Sequence, residues 1–168
     1  MKVITFGFSA AKSKFAVYSR LIRWAQGTEF SHVYMKIHWT AADQDLIYQA
    51  SGLSVNFEPQ WHFDTHARTV QEFPIEISDE CYAKFTKALC AQLSKPYSIK
   101  GVLGLAIRLF AAVFKRDINN PFPDGHDSEF CSKLAVYLVQ QSGAFKLTLD
   151  PENTGPKEFF EALQAYGQ

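Results

Sequence analysis

The sequence has no excess of either charge and no run of like charge. Seventeen basic residues balance seventeen acidic ones, so the basic footprint of a nucleic-acid-binding protein is absent. The same balance gives no electrostatic reason to expect an anionic membrane surface as the partner.

Apolar runs long enough to cross a membrane are also lacking. The longest apolar stretch, residues 101–114, has about fourteen residues and contains Arg108, whereas a spanning helix needs about 20. The first eleven residues include Thr5 and Ser9 and do not have the pattern of a signal peptide. We therefore expect a soluble, cytoplasmic protein in which residues 101–114 are the candidate for peripheral membrane or partner contact.

The number and the spacing of the cysteines do not favour a disulfide framework. Cys81, Cys90 and Cys131 are an odd number. Cys81 and Cys90 fall in one predicted helix, where about 100° per residue places them on opposite faces. A chain of this length buries about 70% of its unfolded surface without a disulfide or structural metal. We expect a single domain, residues 1–168, with no cofactor and no metal.

The hydrophobic patterning predicts, after a possible first strand, a helix, then strands, then further helices. Ser78 is the predicted N-cap of the second helix, and Gly27 and Gly143 follow the ends of two others. Because helices and strands do not alternate regularly, the predicted fold class is α+β. Predicted strands are residues 1–8, 30–39, 46–50, 53–57 and 68–77, and predicted helices are 13–25, 79–93, 99–114, 129–141 and 156–166.

Cys131 lies in the first turn of the predicted helix 129–141, with Ser128 or Asp127 as its N-cap. Unpaired N–H groups and the positive end of the helix dipole favour a thiolate there, as a nucleophile requires. Cys131 also begins an apolar stripe that continues through Leu134 and Val139. From the stripe alone, a buried core cysteine is the better interpretation.

His32 opens the predicted strand 30–39, and the polar residues 40–45 predict a hairpin turn. A turn centred near Ala42 and Asp43 brings His32 opposite residues 49–52. His38 lies about 20 Å further along the strand. Gln49 can therefore orient the His32 ring and leave its other nitrogen to take the thiol proton, although residue type alone favours an ordinary polar strand position for Gln49.

Other histidines and the tryptophans are weaker candidates. His62 and His66 are spaced to ligate a metal from one helix face, but Pro59 precedes them and no third ligand is evident. A zinc protein using these histidines and a cysteine is therefore the least favoured hypothesis. His126 is expected to line the cleft or face solvent. Most aromatic rings are expected in the core, and three that border loops are candidate cleft walls: Trp24, Trp39 and Trp61.

Five short motifs follow one another along most of the chain. They are Phe30-Ser31-His32-Val33, Ile47-Tyr48-Gln49-Ala50-Ser51-Gly52, Ser94-Lys95-Pro96-Tyr97-Ser98, Phe130-Cys131-Ser132-Lys133-Leu134, and residues 150–156. In this order, with histidine before cysteine, they resemble the YiiX/YebB-like branch of the circularly permuted NlpC/P60 group of papain-like proteins.

The resemblance implies a permuted papain-like α+β fold, with a small antiparallel β-barrel or sheet packed against a helix that carries the nucleophile. Cys131 matches the nucleophile, His32 the base and Gln49 the polar third member. The helix N-terminus, with Ser128 and the backbone N–H of Cys131, is the expected oxyanion site. Lys133 stands where such proteins often have an acidic residue, and Gln49 where several have glutamate.

The function implied is that of a cysteine hydrolase, a thiol protease or amidase that acts through an acyl-enzyme. Its substrate would be a peptide of the peptidoglycan type, another amide or an acyl ester. Two alternatives stay open. One is a non-catalytic binding or structural module on the same fold, and the other is a lipid acyl hydrolase or transferase.

Overall fold

A computed structural model of the chain describes residues 1–13, 17–123 and 127–167, with the backbone alone at Tyr18. The described part contains strands, α-helices and two short 3-10 turns, at Thr40–Ala42 and Pro151–Asn153. The strands, in chain order, are β1 (Lys2–Ala11), β2 (His32–Trp39), β3 (Gln44–Ser51), β4 (Ser54–Pro59) and β5 (Ala67–Ile77). The helices are α1 (Val17–Gln26), α2 (Gln60–His66), α3 (Asp79–Gln92), α4 (Ile99–Val113), α5 (Cys131–Ser142) and α6 (Pro156–Tyr166).

The strands form one antiparallel sheet in the order β4-β3-β2-β1-β5. An antiparallel sheet combined with separate helices confirms the α+β prediction. The sheet is open, so the strands of the described residues do not close into a barrel. Met35 pairs with Tyr48 across the turn at Thr40–Ala42. The predicted hairpin therefore has the predicted register.

One face of the sheet carries the main core. Ile4, Phe6 and Phe8 alternate along β1 and point into this face, as the period of two in a strand requires. The Phe6 ring packs edge-on against Phe85 and Phe159, with centroids 6.4 and 5.5 Å apart. The helix α5 lies against β2 and β3, and its residues Leu134 to Val139 are buried except for Tyr137. The core therefore fixes α5 on the strands that carry His32 and Gln49.

The other face of the sheet carries a smaller cluster beneath α2. Tyr34, Ile47, Phe63 and Ala67 are buried together there. A Cβ atom at Gly7 would lie 2.0 Å from the Tyr34 ring, so the ring can cross β1 only because this position is glycine. The Tyr34 hydroxyl then donates to Glu72 at 2.7 Å.

The bounds of α3, α4 and α6 agree with the sequence predictions to within one residue, whereas α1 begins at Val17 and not at Ser13, α2 was not predicted, and α5 begins two residues later than predicted. Ser78 caps α3 by accepting from the backbone N–H of Cys81, as predicted. The N-cap of α5 is Phe130, without a side-chain hydrogen bond, so the prediction of Ser128 or Asp127 was wrong. Part of the predicted first helix, residues 14–16, lies outside the described residues.

The outer side of α4 is apolar and exposed. Trp24 of α1 lies beside Phe110 of α4, with ring centroids 6.3 Å apart. Exposed apolar side chains on the two helices are Val17, Leu21, Trp24, Ile99, Leu103, Ile107, Phe110 and Val113. In the described part of the chain, no helix combines the length and apolar character that crossing a membrane requires.

Candidate active site

Cys131 is the first residue of α5 and lies at the buried junction of helix and sheet. Its side chain is only 7% exposed and belongs to the main core cluster. Because Phe130 supplies no capping side chain, the backbone N–H groups of the first turn stay available to a negatively charged group. The backbone N–H of Ser132, in that turn, and the backbone N–H of Val33, in β2, both donate to the sulfur.

The surroundings of Cys131 favour ionisation of its thiol. Burial by itself raises the pKa of Cys131, but the positive charge of His32, its hydrogen bond and the two backbone N–H groups outweigh burial and leave this pKa below its ordinary value. The arrangement therefore favours a thiolate, and the positive partner is the residue singled out in the sequence.

His32 begins β2 and contacts both Cys131 and Gln49. Burial by itself lowers the pKa of His32, but its hydrogen bond with Cys131, the charge of that thiolate, the hydrogen bond with Gln49 and the charge of Glu58 together raise it. The Nε2 atom lies 2.6 Å from Gln49 Oε1. The ring therefore has its other nitrogen, Nδ1, left for the thiol.

Gln49 is a buried residue of β3 whose amide is held on both sides. Its Nε2 donates to Glu58 Oε1, and a carboxylate can only accept hydrogen bonds. The amide oxygen must consequently face His32, where it accepts from Nε2–H. Glu58 thus fixes the amide orientation that fixes the imidazole tautomer.

A cavity of about 230 Å³ opens onto this arrangement. Polar groups on its lining include His32, Gln49, Ser31 and His66, and its apolar wall includes Ile22 of α1 and Val102 of α4. Cys131 is not among the lining residues. A substrate in the cavity would therefore approach the sulfur from the side of His32.

Buried charges surround the start of α5. Lys133 is buried, pairs with Glu152 at 2.7 Å and donates to the backbone carbonyl of Ser128 at 2.8 Å. Glu129 is also buried. Its burial raises its pKa to about 7, although the charges of Lys133 and Lys95 partly offset that effect. Lys133 therefore ties the segment before the helix to the loop that precedes α6.

The histidine pair of α2 lies next to Glu58. His62 and His66 are on a helix, which the sequence left uncertain, and Glu58 is the third potential ligand that sequence analysis missed. One atom from each of the three residues lies within 4.8 Å of the others. The signal that would have found Glu58 is the equal spacing of Glu58, His62 and His66, four residues apart along the sequence.

The remaining candidates lie elsewhere. His38 is on the far end of β2 and pairs with Asp45 at 2.9 Å. Cys81 and Cys90 are free thiols of α3. Among the cleft-wall candidates, Trp24, Trp39 and Trp61 are exposed, and none lines the cavity beside His32, so that prediction was wrong. His126 lies outside the described residues.

Comparison with known proteins identifies the fold. No family model and no curated protein matches the sequence. A solved structure, described as that of the metalloprotein YiiX from Escherichia coli O157:H7, is similar with a TM-score of 0.62 and 15% sequence identity. The similarity covers 96% of this chain and 81% of that chain. The chain therefore has a fold similar to that of YiiX.

Proposed function

We propose that this protein is a cysteine hydrolase that uses Cys131 as nucleophile, His32 as base and Gln49 as the residue that orients the base. The observation that carries the proposal is that His32 contacts both Cys131 and Gln49, with Nε2 2.6 Å from Gln49 Oε1, and its contact with Cys131 lowers the pKa of Cys131 and raises that of His32. Opposite shifts in two contacting groups are what a preformed thiolate and imidazolium pair produces. A cysteine that serves only in packing has a pKa raised by burial.

The proposed reaction begins with attack of the Cys131 thiolate on a carbonyl carbon. The carbonyl oxygen becomes negatively charged in the tetrahedral intermediate. The backbone N–H of Cys131 stabilises this charge at the start of α5, and Ser128 belongs to the same proposed oxyanion site. His32 then gives its Nδ1 proton to the leaving amine or alkoxide as the bond to carbon breaks. The product is a thioester on Cys131.

Hydrolysis of that thioester completes the cycle. Neutral His32 takes a proton from water, the hydroxide attacks the thioester carbon, and the thiolate leaves with its charge stabilised by the newly formed imidazolium. The acid product departs, and the starting ion pair is restored. If a hydroxyl or amine replaces water, the same steps give acyl transfer.

We consider two substrate classes. Peptide and other amide bonds are the class implied by the sequence resemblance. A lipid acyl ester is the second candidate, and it is supported by the apolar residues Ile22 and Val102 on the cavity wall. These residues belong to α1 and α4, the two helices whose outer sides are apolar and exposed, so an acyl chain could reach the cavity from an apolar surface.

The first test measures the reactivity of each cysteine against pH. Wild-type protein and His32→Ala are alkylated with iodoacetamide between about pH 5 and 9, and each cysteine is quantified by peptide mass spectrometry. We expect Cys131 to react below neutral pH in the wild type and only near about pH 8.5 in His32→Ala. Cys90, exposed and remote from His32, is the control within the same chain.

A Cys131 that is inert, or that titrates like Cys90, would contradict the proposal and favour a non-catalytic binding module. If the thiol behaves as expected, an activated peptide amide and an activated acyl ester are offered in parallel. Trapping of an acyl group on the Cys131 peptide identifies the substrate class. Cys131→Ser should carry no such group at the same position under the same conditions.

A further inference from the structure

A cluster of metal-binding side chains lies beside the candidate active site, and the proposed reaction leaves it unused. Glu58 comes from the end of β4, while His62 and His66 lie one turn apart on α2. Their ligand atoms lie within 4.8 Å of one another, and no other such group occurs in the described ranges 1–13, 17–123 and 127–167.

The distances suit a tetrahedral ion. With metal-to-ligand bonds of about 2.0–2.1 Å, neighbouring ligand atoms in a tetrahedral site are about 3.3 Å apart. Glu58 Oε1 and His66 Nε2 are already 3.5 Å apart. His62 Nδ1 is 2.5 Å from Glu58 Oε2, so it must withdraw by only about 1 Å when an ion replaces the shared proton.

The charge of Glu58 also favours a cation at this place. The side chain is only 13% exposed, and the ion-pair partners it has among the described residues are His62 and His66. Neither histidine is a permanent cation. Both imidazoles are about half exposed, so an ion can reach them from solvent without unfolding the site.

We propose that Glu58, His62 and His66 bind one divalent transition-metal ion, with zinc as the best match. Two imidazole nitrogens and one carboxylate oxygen are a common three-ligand set for zinc, whereas magnesium and calcium prefer oxygen ligands. Three protein ligands leave a coordination position for water or a ligand. Because His66 also lines the cavity with His32 and Gln49, the ion lies at the rim of that cavity.

The ion need not displace the contact that holds Gln49. Glu58 has two carboxylate oxygens: Oε1 accepts from Gln49, and Oε2 faces His62. Ligation of the ion through Oε2 leaves Oε1 in place beside the amide, and it requires His66 Nε2, now 3.5 Å from Oε1, to turn toward the ion held at Oε2. The metal site and the orientation of His32 therefore share one side chain but use different atoms of it.

The test uses zinc and cobalt ions alone as probes. Chelator-treated protein, residues 1–168, is titrated with Zn²⁺ by calorimetry and with Co²⁺ by visible absorption, and bound metal is counted by mass spectrometry. We expect one ion per chain and the intense d–d absorption of tetrahedral cobalt. His62→Ala and His66→Ala should each weaken Zn²⁺ binding by at least about tenfold, since even loss of an outer-shell partner has that effect.

His38→Ala is the matched control. His38 is 54% exposed, close to the 56% of His62 and 51% of His66, and it also pairs with a carboxylate. Its Zn²⁺ affinity should equal that of the wild type. If either alanine variant unfolds by circular dichroism, His62→Asn and His66→Asn replace it.

Three results would overturn the site: no binding of either ion, affinity unchanged in both histidine variants, or binding lost in Cys131→Ala. The last result would place the metal on the thiol and His32 instead. Because the readout is metal affinity, the test does not depend on catalysis. A failed metal site leaves the thiol proposal standing, and an inert thiol leaves the metal proposal standing.

Discussion

At the scale of single residues, Gln49 stands where several members of the family that the sequence resembles carry glutamate, and we propose that Glu58 compensates for the difference. The amide of Gln49 has no charge with which to hold the imidazolium of His32. Glu58 supplies that charge from behind Gln49, through its contact with the amide, and this contact also prevents the amide from flipping. The proposed orienting group is therefore a pair of side chains from two neighbouring strands.

Replacing Glu58 should weaken the thiolate without removing it. In Glu58→Gln the charge that raises the pKa of His32 is lost, and the Gln49 amide can turn its NH₂ toward the ring. We expect the apparent pKa of Cys131 to rise and its alkylation rate at about pH 6 to fall by up to about tenfold, the effect of one pKa unit. The measurement is the iodoacetamide rate in the presence of a chelator, so that bound metal plays no part.

Glu76→Gln, at an exposed position of β5, is the control for this substitution and should not change the rate. A Glu58→Gln variant that reacts as fast as the wild type at every pH would show that Gln49 holds the ring without help. The role given to Glu58 would then be wrong.

At the scale of elements, sequence patterns located the hairpin and missed the start of α5. The polar residues 40–45 contain the hairpin turn, and the position of the turn decides which residues of the two strands pair. That position can be read directly from the sequence. The start of α5 depends on long-range contacts instead. Backbone hydrogen bonds of Glu129 with Pro96 and Ser98 hold that residue extended, so the helix begins at Cys131 in spite of the capping preference of Ser128.

Glu58 was missed for a related reason. It belongs to β4, which follows β3 through the two residues Gly52 and Leu53. Gln49 pairs with Asn56 in this register, and Glu58 lies two residues further on the same face. The sequence contained the spacing between Gln49 and Glu58. A carboxylate at the end of a strand looks like any other surface carboxylate, however, until the fold shows that helix α2 lies beside it.

Lys133 should be a strong determinant of how α5 is anchored. Lys133→Met leaves Glu152 and the Ser128 carbonyl without the cation they now contact. We expect the free energy of unfolding, measured by urea denaturation, to fall by about 2–4 kcal/mol, near the range for breaking a buried ion pair. Lys133→Met combined with Glu152→Gln should be less destabilised than Lys133→Met alone, and equal losses would contradict this account.

At the scale of the whole molecule, Glu129 should lower the free energy of unfolding as pH rises from about 4.5 to about 7. This carboxyl is 1% exposed, and its pKa is about 7 in the folded protein against an ordinary 4.5. Between these values the folded state binds more protons than the unfolded state, so the free energy of unfolding decreases with rising pH. The loss is on the order of 3 kcal/mol.

Glu129→Gln should remove most of that slope, as measured by denaturation at a series of pH values from about 4.5 to 8. Glu29→Gln, at an exposed site, should keep it. Cys131 and His32 add no slope between about pH 6.5 and 9, their ordinary pKa values, because the proton gained by His32 equals the proton lost by Cys131. Below about pH 6.5 the unfolded pair binds one proton more than the folded pair and adds a slope of opposite sign, which the comparison of Glu129→Gln with the wild type at each pH cancels. A slope that persists in Glu129→Gln would mean that another group binds the proton.

The order of the site along the chain has a consequence for when the thiol becomes reactive. His32 and Gln49 are brought together by a local hairpin, whereas Cys131 must arrive from the C-terminal part of the chain when α5 docks on β2. A chain that has not completed this long-range closure contains three ordinary thiols. Acid-range labelling of Cys131 would therefore count only finished molecules in a population and could be used to time the last step of folding.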